Sequence, residues 1–249
     1  MNDEQIAKLF SVEILKELVT KYGTPESVKA AWETRHANGE IAHEEEKTPT
    51  DINSLKNRVK ELHQKRAAGH VTLNKKLNEL FSDNSKFIVT GRLKTPQSIQ
   101  EKMERKNVND PSKFDDISGL RVITSDARAT QDAIKIIKDK FKGDIKPGSE
   151  DNYIENPKDT GYHAYHATIM ANGEPHEVQV RTRRFNEWAE TYHSVYKGET
   201  WAKDANTMNT KKYFAEMANV YQAMDEGRTP GHIPECPQEL RKIGLCLGA

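Results

Sequence analysis

Five cationic or hydroxylic side chains, Arg92, Lys94, Ser98, Lys102 and Arg105, fall within RLKTPQSIQEKMER, residues 92–105. Thr95-Pro96 supplies an N-cap and a first-turn proline, so a helix starts beside Arg92 and Lys94. Along it Ser98, Lys102 and Arg105 recur at i, i+4 and i+7 on one face, while Ile99 and Met103 take the inward face. A helix N-terminus ringed by a hydroxyl and four cations has the donors to hold a polyphosphate. A solvated basic helix has the same composition. Asp116 in DISGLR, with Gly119 and Arg121 behind it, could hold a divalent cation while Arg121 reaches the same phosphates; Asp115-Asp116 equally suits a turn or cap. In EVQVRT (177–182) the period-two alternation sends Val178 and Val180 to one side and Glu177, Gln179 and Arg181 to the other. That pattern fits a half-exposed strand. It also fits a polar strand face on which Glu177 is a general base or metal ligand. His193 lies on WAETYHSVYK beside Trp188, Tyr192 and Val195, which read as core.

A further cluster sits in ENPKDTGYHAYH (155–166). Asn156-Pro157 and Asp159-Thr160-Gly161 are turn residues, and Lys158, Tyr162 and His166 flank them. Where such a turn leads into a strand, the four-residue offset returns His166 to the side of Tyr162. His163 and Tyr165 then project the other way. His163 and His166 lack a third ligand at metal-binding spacing.

Holding these groups together calls for a mixed framework of strands and helices. KFIVTG (86–91) and DISGLRVIT (116–124) read as strands, residues 93–106 as a turn and helix, and residues 128–141 as a helix with Ile134, Ile137 and Phe141 inward. YHATIMA (165–171) and EVQVRT (177–182) are joined through Asn172-Gly173, a hairpin signal. Helices are expected over 184–197 and 207–226. Ahead of this block come a helix over 3–21 with Ile6, Phe10, Ile14 and Leu18 on one face, and a second from Thr24-Pro25 to Arg35. A polar linker over 36–50 follows, then a long charged helix from Asp51 to Phe81 that is broken or weakened near Gly69. The chain thus divides into a helical N-terminal extension and linker (1–50), a domain with its leading helix (51–200), and a C-terminal helix and tail (201–249).

Composition narrows the function classes. Of 249 residues, 35% are apolar and 31% charged, and the 38 basic and 38 acidic residues cancel, so bulk charge does not advertise a nucleic-acid partner. The distribution is uneven: residues 1–50 hold ten acidic against six basic residues, whereas residues 86–107 hold six basic against two acidic. A local basic site in a neutral chain suits a compact anionic ligand. Cys236 and Cys246 stand ten residues apart without a CxxC pattern, which argues against a disulfide framework or a zinc site. No basic leader opens the chain and no run of apolar residues is long enough for a membrane span, so a cytoplasmic location is expected.

Taken in order, GRLKTPQSIQEKMERK, DISGLRV, DNYIENPKDTGYHAYH, EVQVRT and WAETYHSVYK resemble the RelA/SpoT synthetase domain of bacterial alarmone synthetases over residues 86–198. The resemblance implies an α/β (α+β), nucleotidyltransferase-like mixed sheet flanked by helices, with helical extensions at both ends. No HD-type hydrolase domain precedes the match and no long regulatory domain follows it, which fits a small, single-function synthetase. The reaction implied is transfer of the β,γ-pyrophosphate of ATP to the ribose 3′-hydroxyl of GDP or GTP, with release of AMP.

Carried over by motif, Arg92, Lys94, Ser98, Lys102 and Arg105 bind the ATP phosphates, and Arg92 and Arg121 bracket adenine. Asp116 holds Mg²⁺. Glu177 binds the metal or accepts the 3′-hydroxyl proton, and Gln179 lines the same site. Lys158 and His166 contact acceptor phosphates and Tyr162 stacks on the acceptor base, while His193, His163 and Arg181 are further candidates. The family commonly carries a basic or amide residue, a serine and an aliphatic residue where His163, Ala164 and Tyr165 stand, which leaves the acceptor's identity open. The alternative acceptor is the 3′-CCA end of tRNA, used by toxic relatives that are partnered by antitoxins. It calls for a basic track, for which Arg58, Lys60, Lys65 and Arg66, or Arg181, Arg183 and Arg184, are the candidates. A homo-oligomer is the family's usual assembly.

Overall fold

The computed structural model describes residues 49–82, 84–196 and 206–248. The expected helices of residues 3–35 and most of the linker after them lie outside these. The described chain opens with α1 (Pro49–Phe81), a 33-residue helix. It runs unbroken through Gly69, contrary to expectation. The cost of a mid-helix glycine, about 1 kcal/mol, is offset by close approach. A Cβ at Gly69 would overlap the His176 ring and stand 2.8 Å from the Ala171 carbonyl, so only glycine lets the helix lie this near the sheet.

The sheet has five strands, β1 (Phe87–Leu93), β2 (Ser118–Thr124), β3 (Asp151–Asn152), β4 (Tyr165–Ala171) and β5 (Glu174–Thr182), in the order β1-β2-β5-β4-β3. Only β2 and β5 run parallel; the other neighbouring pairs are antiparallel. The β4–β5 hairpin turns on Asn172 and Gly173, both at positive φ (53° and 78°), as the Asn-Gly pair demands. Between β1 and β2 lies α2 (Pro96–Lys106), capped by Thr95, whose side chain accepts the Ser98 amide. After β2 comes α3 (Ala127–Lys140), capped by Asp126. Helices α4 (Arg183–Tyr196), α5 (Met208–Asp225) and α6 (Gln238–Lys242) complete the described chain.

Alternation along the strands sorts the sheet into two faces. Leu120, Val122, Val178, Val180, Ala167 and Ile169 bury one face against Leu73 and Leu77 of α1 and Ile137 of α3. The opposite face is lined by α4, whose Phe185, Trp188 and Val195 pack on Phe214, Met217 and Tyr221 of α5. A third cluster joins Val59 of α1 to Ile99 and Met103 of α2 and to Ile117. The end of β5 is tied to α5 by buried Asp225, which accepts from Thr182 Oγ1 at 2.5 Å and Arg184 Nη1 at 2.7 Å.

Two expectations are corrected here. Cys236 and Cys246 are joined in a disulfide: folding of the tail around α6 brings the two Cα atoms to 5.8 Å, a proximity that ten residues of sequence do not reveal. Asp116 does not begin a strand. It sits in the 3-10 turn Asp115–Ile117, just ahead of β2.

Candidate active site

The residues that α4 faces across the sheet enclose a cleft of about 870 Å³. Its floor is set by register. Gly119 of β2 pairs with Arg92 of β1 on one side and Glu177 of β5 on the other. One pleat further, Arg121, Gln179 and His166 form a second row, and Ile123 pairs with Arg181 in a third. The hydrophobic partners of these residues point to the other face, so the same alternation that builds the core presents the polar row.

Asp116 lies at the rim in a bed of cations. Lys94 Nζ is 3.1 Å from Oδ2 and also donates to the Asp116 carbonyl at 2.7 Å. Lys102 Nζ pairs with Oδ1. Burial by itself raises the carboxyl's pKa, but the Lys102 hydrogen bond and the charges of both lysines outweigh it and hold Asp116 below the ordinary carboxylate range. Thus Lys94 and Lys102, assigned by sequence to phosphates, engage the carboxylate here. Ser98, Lys102 and Arg105 do not line the cleft, whereas Arg92 and Lys94 do. Ser98 is spent on the start of α2, where its hydroxyl stands 2.9 Å from Thr95 Oγ1.

Glu177 is held at the centre of the floor. Its Oε2 accepts from Gln179 Nε2 at 2.8 Å, and its Oε1 lies 3.3 Å from His166 Nδ1. The other ring nitrogen, His166 Nε2, stands 2.8 Å from the Tyr162 hydroxyl. Burial pushes the Glu177 carboxyl up; His166, by hydrogen bond and charge, and Gln179 outweigh this and hold it below its usual range. The group is therefore an ionised, oriented carboxylate at neutral pH, as a general base must be. His166, expected to face acceptor phosphates, has both ring nitrogens engaged in this Tyr162–His166–Glu177 chain.

Around Tyr162 is an aromatic and cationic wall. Tyr153 meets it edge-on with ring centroids 5.8 Å apart, and Lys158 Nζ stands 4.3 Å from the Tyr153 ring and 5.7 Å from the Tyr162 ring. Gly161, at φ +89°, bends the turn so closely over α5 that a Cβ there would strike Ala218. By contrast His163, Ala164 and Tyr165 are buried. His163 stacks on Phe185 at 4.5 Å and engages the Gly161 carbonyl, and Tyr165 bonds Glu150 at 2.5 Å. His163 is therefore not a cleft residue, and the three positions that depart from the family pattern shape the core rather than the acceptor side.

The third row holds Arg181, only 3% exposed, whose guanidinium donates to Asn186 Oδ1 at 2.8 and 3.2 Å. Glu190 bridges it to Arg121, with contacts of 3.5 Å and 2.5 Å respectively. Asn186, Glu190 and His193 fall at i, i+4 and i+7 on α4 and all line the cleft. That helical stripe was readable from sequence, but only His193 was singled out; Tyr153, Asn186 and Glu190 were not. Of the candidate basic tracks, Arg66 and Arg181 are buried and Arg184 is paired with Asp225, whereas Arg58, Lys60, Lys65 and Arg183 are exposed.

A mixed sheet that presents a carboxylate from a strand and another from the neighbouring turn to a cation-lined cleft is a nucleotidyltransferase-like fold. Within that class the sequence is specific: residues 91–200 match the region found in RelA / SpoT proteins. Over 193 residues the chain is 29% identical to the GTP pyrophosphokinase rsh of Brucella ovis, covering 75% of this chain and 25% of that protein. It thus spans about a quarter of the length of that curated relative. A GTP pyrophosphokinase family protein from Streptococcus pneumoniae matches with a TM-score of 0.57 at 26% identity, over 68% of this chain and 89% of that one. The small alarmone synthetase 1 of Bacillus subtilis, bound to its product pppGpp, matches with a TM-score of 0.53 at 28% identity, over 66% of this chain and 90% of that one. No described helix is long and apolar enough to cross a membrane.

Proposed function

We propose that the cleft transfers the β,γ-pyrophosphate of ATP to the ribose 3′-hydroxyl of GDP or GTP. The observation that carries this reading is Glu177: an ionised carboxylate fixed by two donors on the floor of a cleft whose rim is cationic. In the reaction the 3′-oxygen bonds to the β-phosphorus of ATP, the bond from that phosphorus to the α,β-bridging oxygen breaks, and AMP leaves. Glu177 accepts the 3′-hydroxyl proton. Such transfers leave the protein chiefly to position reactants and compensate phosphate charge, a task for Arg92, Lys94, Lys102 and Arg121. Tyr162, Tyr153 and Lys158 supply an aromatic and cationic surface for the acceptor.

The donor set suits Mg²⁺, which is usually held by one or two carboxylates with substrate phosphates completing the shell. Asp116 and Glu177 would hold it, and when bound it neutralises charge on the transferred phosphates.

The supporting relatives' names and the pppGpp-bound neighbour favour a guanosine acceptor. The test is purified protein with labelled ATP and Mg²⁺, offered GDP, GTP, ATP or deacylated tRNA. Label on GDP and GTP is the expected result; label on tRNA alone would replace the acceptor assignment, and no transfer to any of them would overturn the reading.

A further inference from the structure

Behind the catalytic floor, on the face packed against α1, lies a buried hydrogen-bond chain that no motif anticipates. Ser118 Oγ stands 2.9 Å from His70 Nδ1 of α1 and 2.7 Å from His176 Nδ1 of β5. Ser118 and His176 are completely buried. His176 Nε2 faces the Ala171 carbonyl at 3.3 Å and so carries the ring proton. Its Nδ1 must then accept from the Ser118 hydroxyl, whose oxygen is left to accept from His70 Nδ1–H. The direction of the chain is set by the one acceptor at its end.

Two glycines seat the histidines. The His176 ring occupies the space a Cβ at Gly69 would need, and His70 Nε2 lies 2.7 Å from where a Cβ at Gly91 would stand. A neighbouring pair adds to the clamp: Arg66, almost fully buried, donates to the Pro175 carbonyl and meets Glu174 at 3.0 Å. One turn of α1 thereby grips β1, β2 and β5 together.

Each gripped residue is next in the chain to a cleft residue: Gly91 to Arg92, Ser118 to Gly119, and His176 to Glu177. Successive strand residues face opposite sides, and Arg92, Gly119 and Glu177 form one row across the three strands. The row behind the sheet therefore dictates the lateral setting of the row in front, with Asp116 two residues before Ser118. We propose that His70, Ser118 and His176 are positioning residues for pyrophosphoryl transfer, and that α1, which precedes the matched region 91–200, is part of the active-site support. The inference rests on the transfer reading above.

The experiment compares wild type, Ser118→Ala, His70→Ala, His70→Gln and Ile137→Val, a core change on α3 away from this chain. Measured are kcat and KM for labelled pyrophosphate transfer, Kd for a non-hydrolysable ATP analogue, and melting temperature, with assays run well below every melting transition. Misplacing a reacting group by an ångström costs on the order of 10²-fold. Ser118→Ala and His70→Ala are expected to lose about ten- to a hundredfold in kcat while analogue Kd stays within about twofold. His70→Gln, which keeps a donor, recovers part of the loss, and Ile137→Val keeps kcat despite its lower melting temperature. An active wild type with kcat retained in the partly buried His70→Ala, or a loss in Ile137→Val as large as in Ser118→Ala, overturns the positioning role alone. A folded wild type inactive with every acceptor overturns both this inference and the reading beneath it.

Discussion

Replacing Glu177 by glutamine tests the proposed base, because the proposal gives proton transfer to this carboxylate and phosphate binding to the cations of the cleft. The carboxylate accepts twice, from Gln179 Nε2 at 2.8 Å and from His166 Nδ1 at 3.3 Å. A carboxamide of the same shape offers one oxygen, so one of those donors is left facing an NH₂ group. Loss of such a bond at a partly buried site costs about 1 kcal/mol, a fall of roughly 2–4 °C in the melting temperature of a domain this size. The effect on rate is larger. Without the base, transfer should fall by about 10²–10⁴-fold, or roughly 3–5 kcal/mol of barrier. The cations proposed to bind ATP, among them Arg92, Lys94 and Arg121 of the cleft, are untouched, so the Kd of a non-hydrolysable ATP analogue should remain near that of wild type. Thin-layer separation of labelled products, with calorimetric titration of the analogue, measures both quantities. Turnover within tenfold of wild type, with the variant folded and binding, would refute the assignment of Glu177 as base.

Three further outcomes follow from particular contacts. Glu190→Gln removes the carboxylate that neutralises Arg121 and Arg181 across the cleft. Nucleotide then no longer competes with an internal anion, and fluorescence titration should show binding tighter by about two- to fivefold, the scale of a partly exposed ion pair. Asp126→Ala uncaps α3, where Asp126 accepts the Ala129 amide at 2.8 Å and the Ser125 hydroxyl at 2.6 Å; denaturant titration at neutral pH should show a loss of about 1 kcal/mol. The Ser125 and Ala129 hydrogen bonds hold the Asp126 carboxyl below its ordinary pKa. Its contribution is therefore complete above the unfolded value near pH 4 and lost as pH falls through the lower folded value, so wild type and variant should converge in acid. Finally, reducing Cys236–Cys246, or replacing both by serine, opens a ten-residue loop. By the chain-entropy relation this costs about 2–3 kcal/mol, readable as a lower melting temperature in reductant, and an unchanged melting temperature would contradict it.

The elements were largely legible in the amino-acid sequence because local rules specify them. Asn172-Gly173 can make only a few turns, Thr95-Pro96 opens a helix on its own chemistry, and the alternation in EVQVRT decides which side chains share a face wherever the strand is placed. The order of the motifs was enough for the resemblance to the family, and with it the reaction class that the resemblance implies. Even the stripe of Asn186, Glu190 and His193 was written in helical spacing, although a core helix with the same spacing would look no different.

Other features depended on contacts between segments far apart in the chain. Gly69 reads as a helix breaker until His176, more than a hundred residues on, is seen to need its missing Cβ. Lys94 and Lys102 read as phosphate ligands, yet the turn at Asp115–Ile117 delivers Asp116 between them. His163 looks like a site residue beside Tyr162, but its stacking on Phe185 draws it into the core. Local propensity and periodicity act over a few residues and survive in the sequence alone. Which carboxylate meets which cation, and which histidine turns inward, follows from strand register and the closeness of a helix, and only the folded chain sets those.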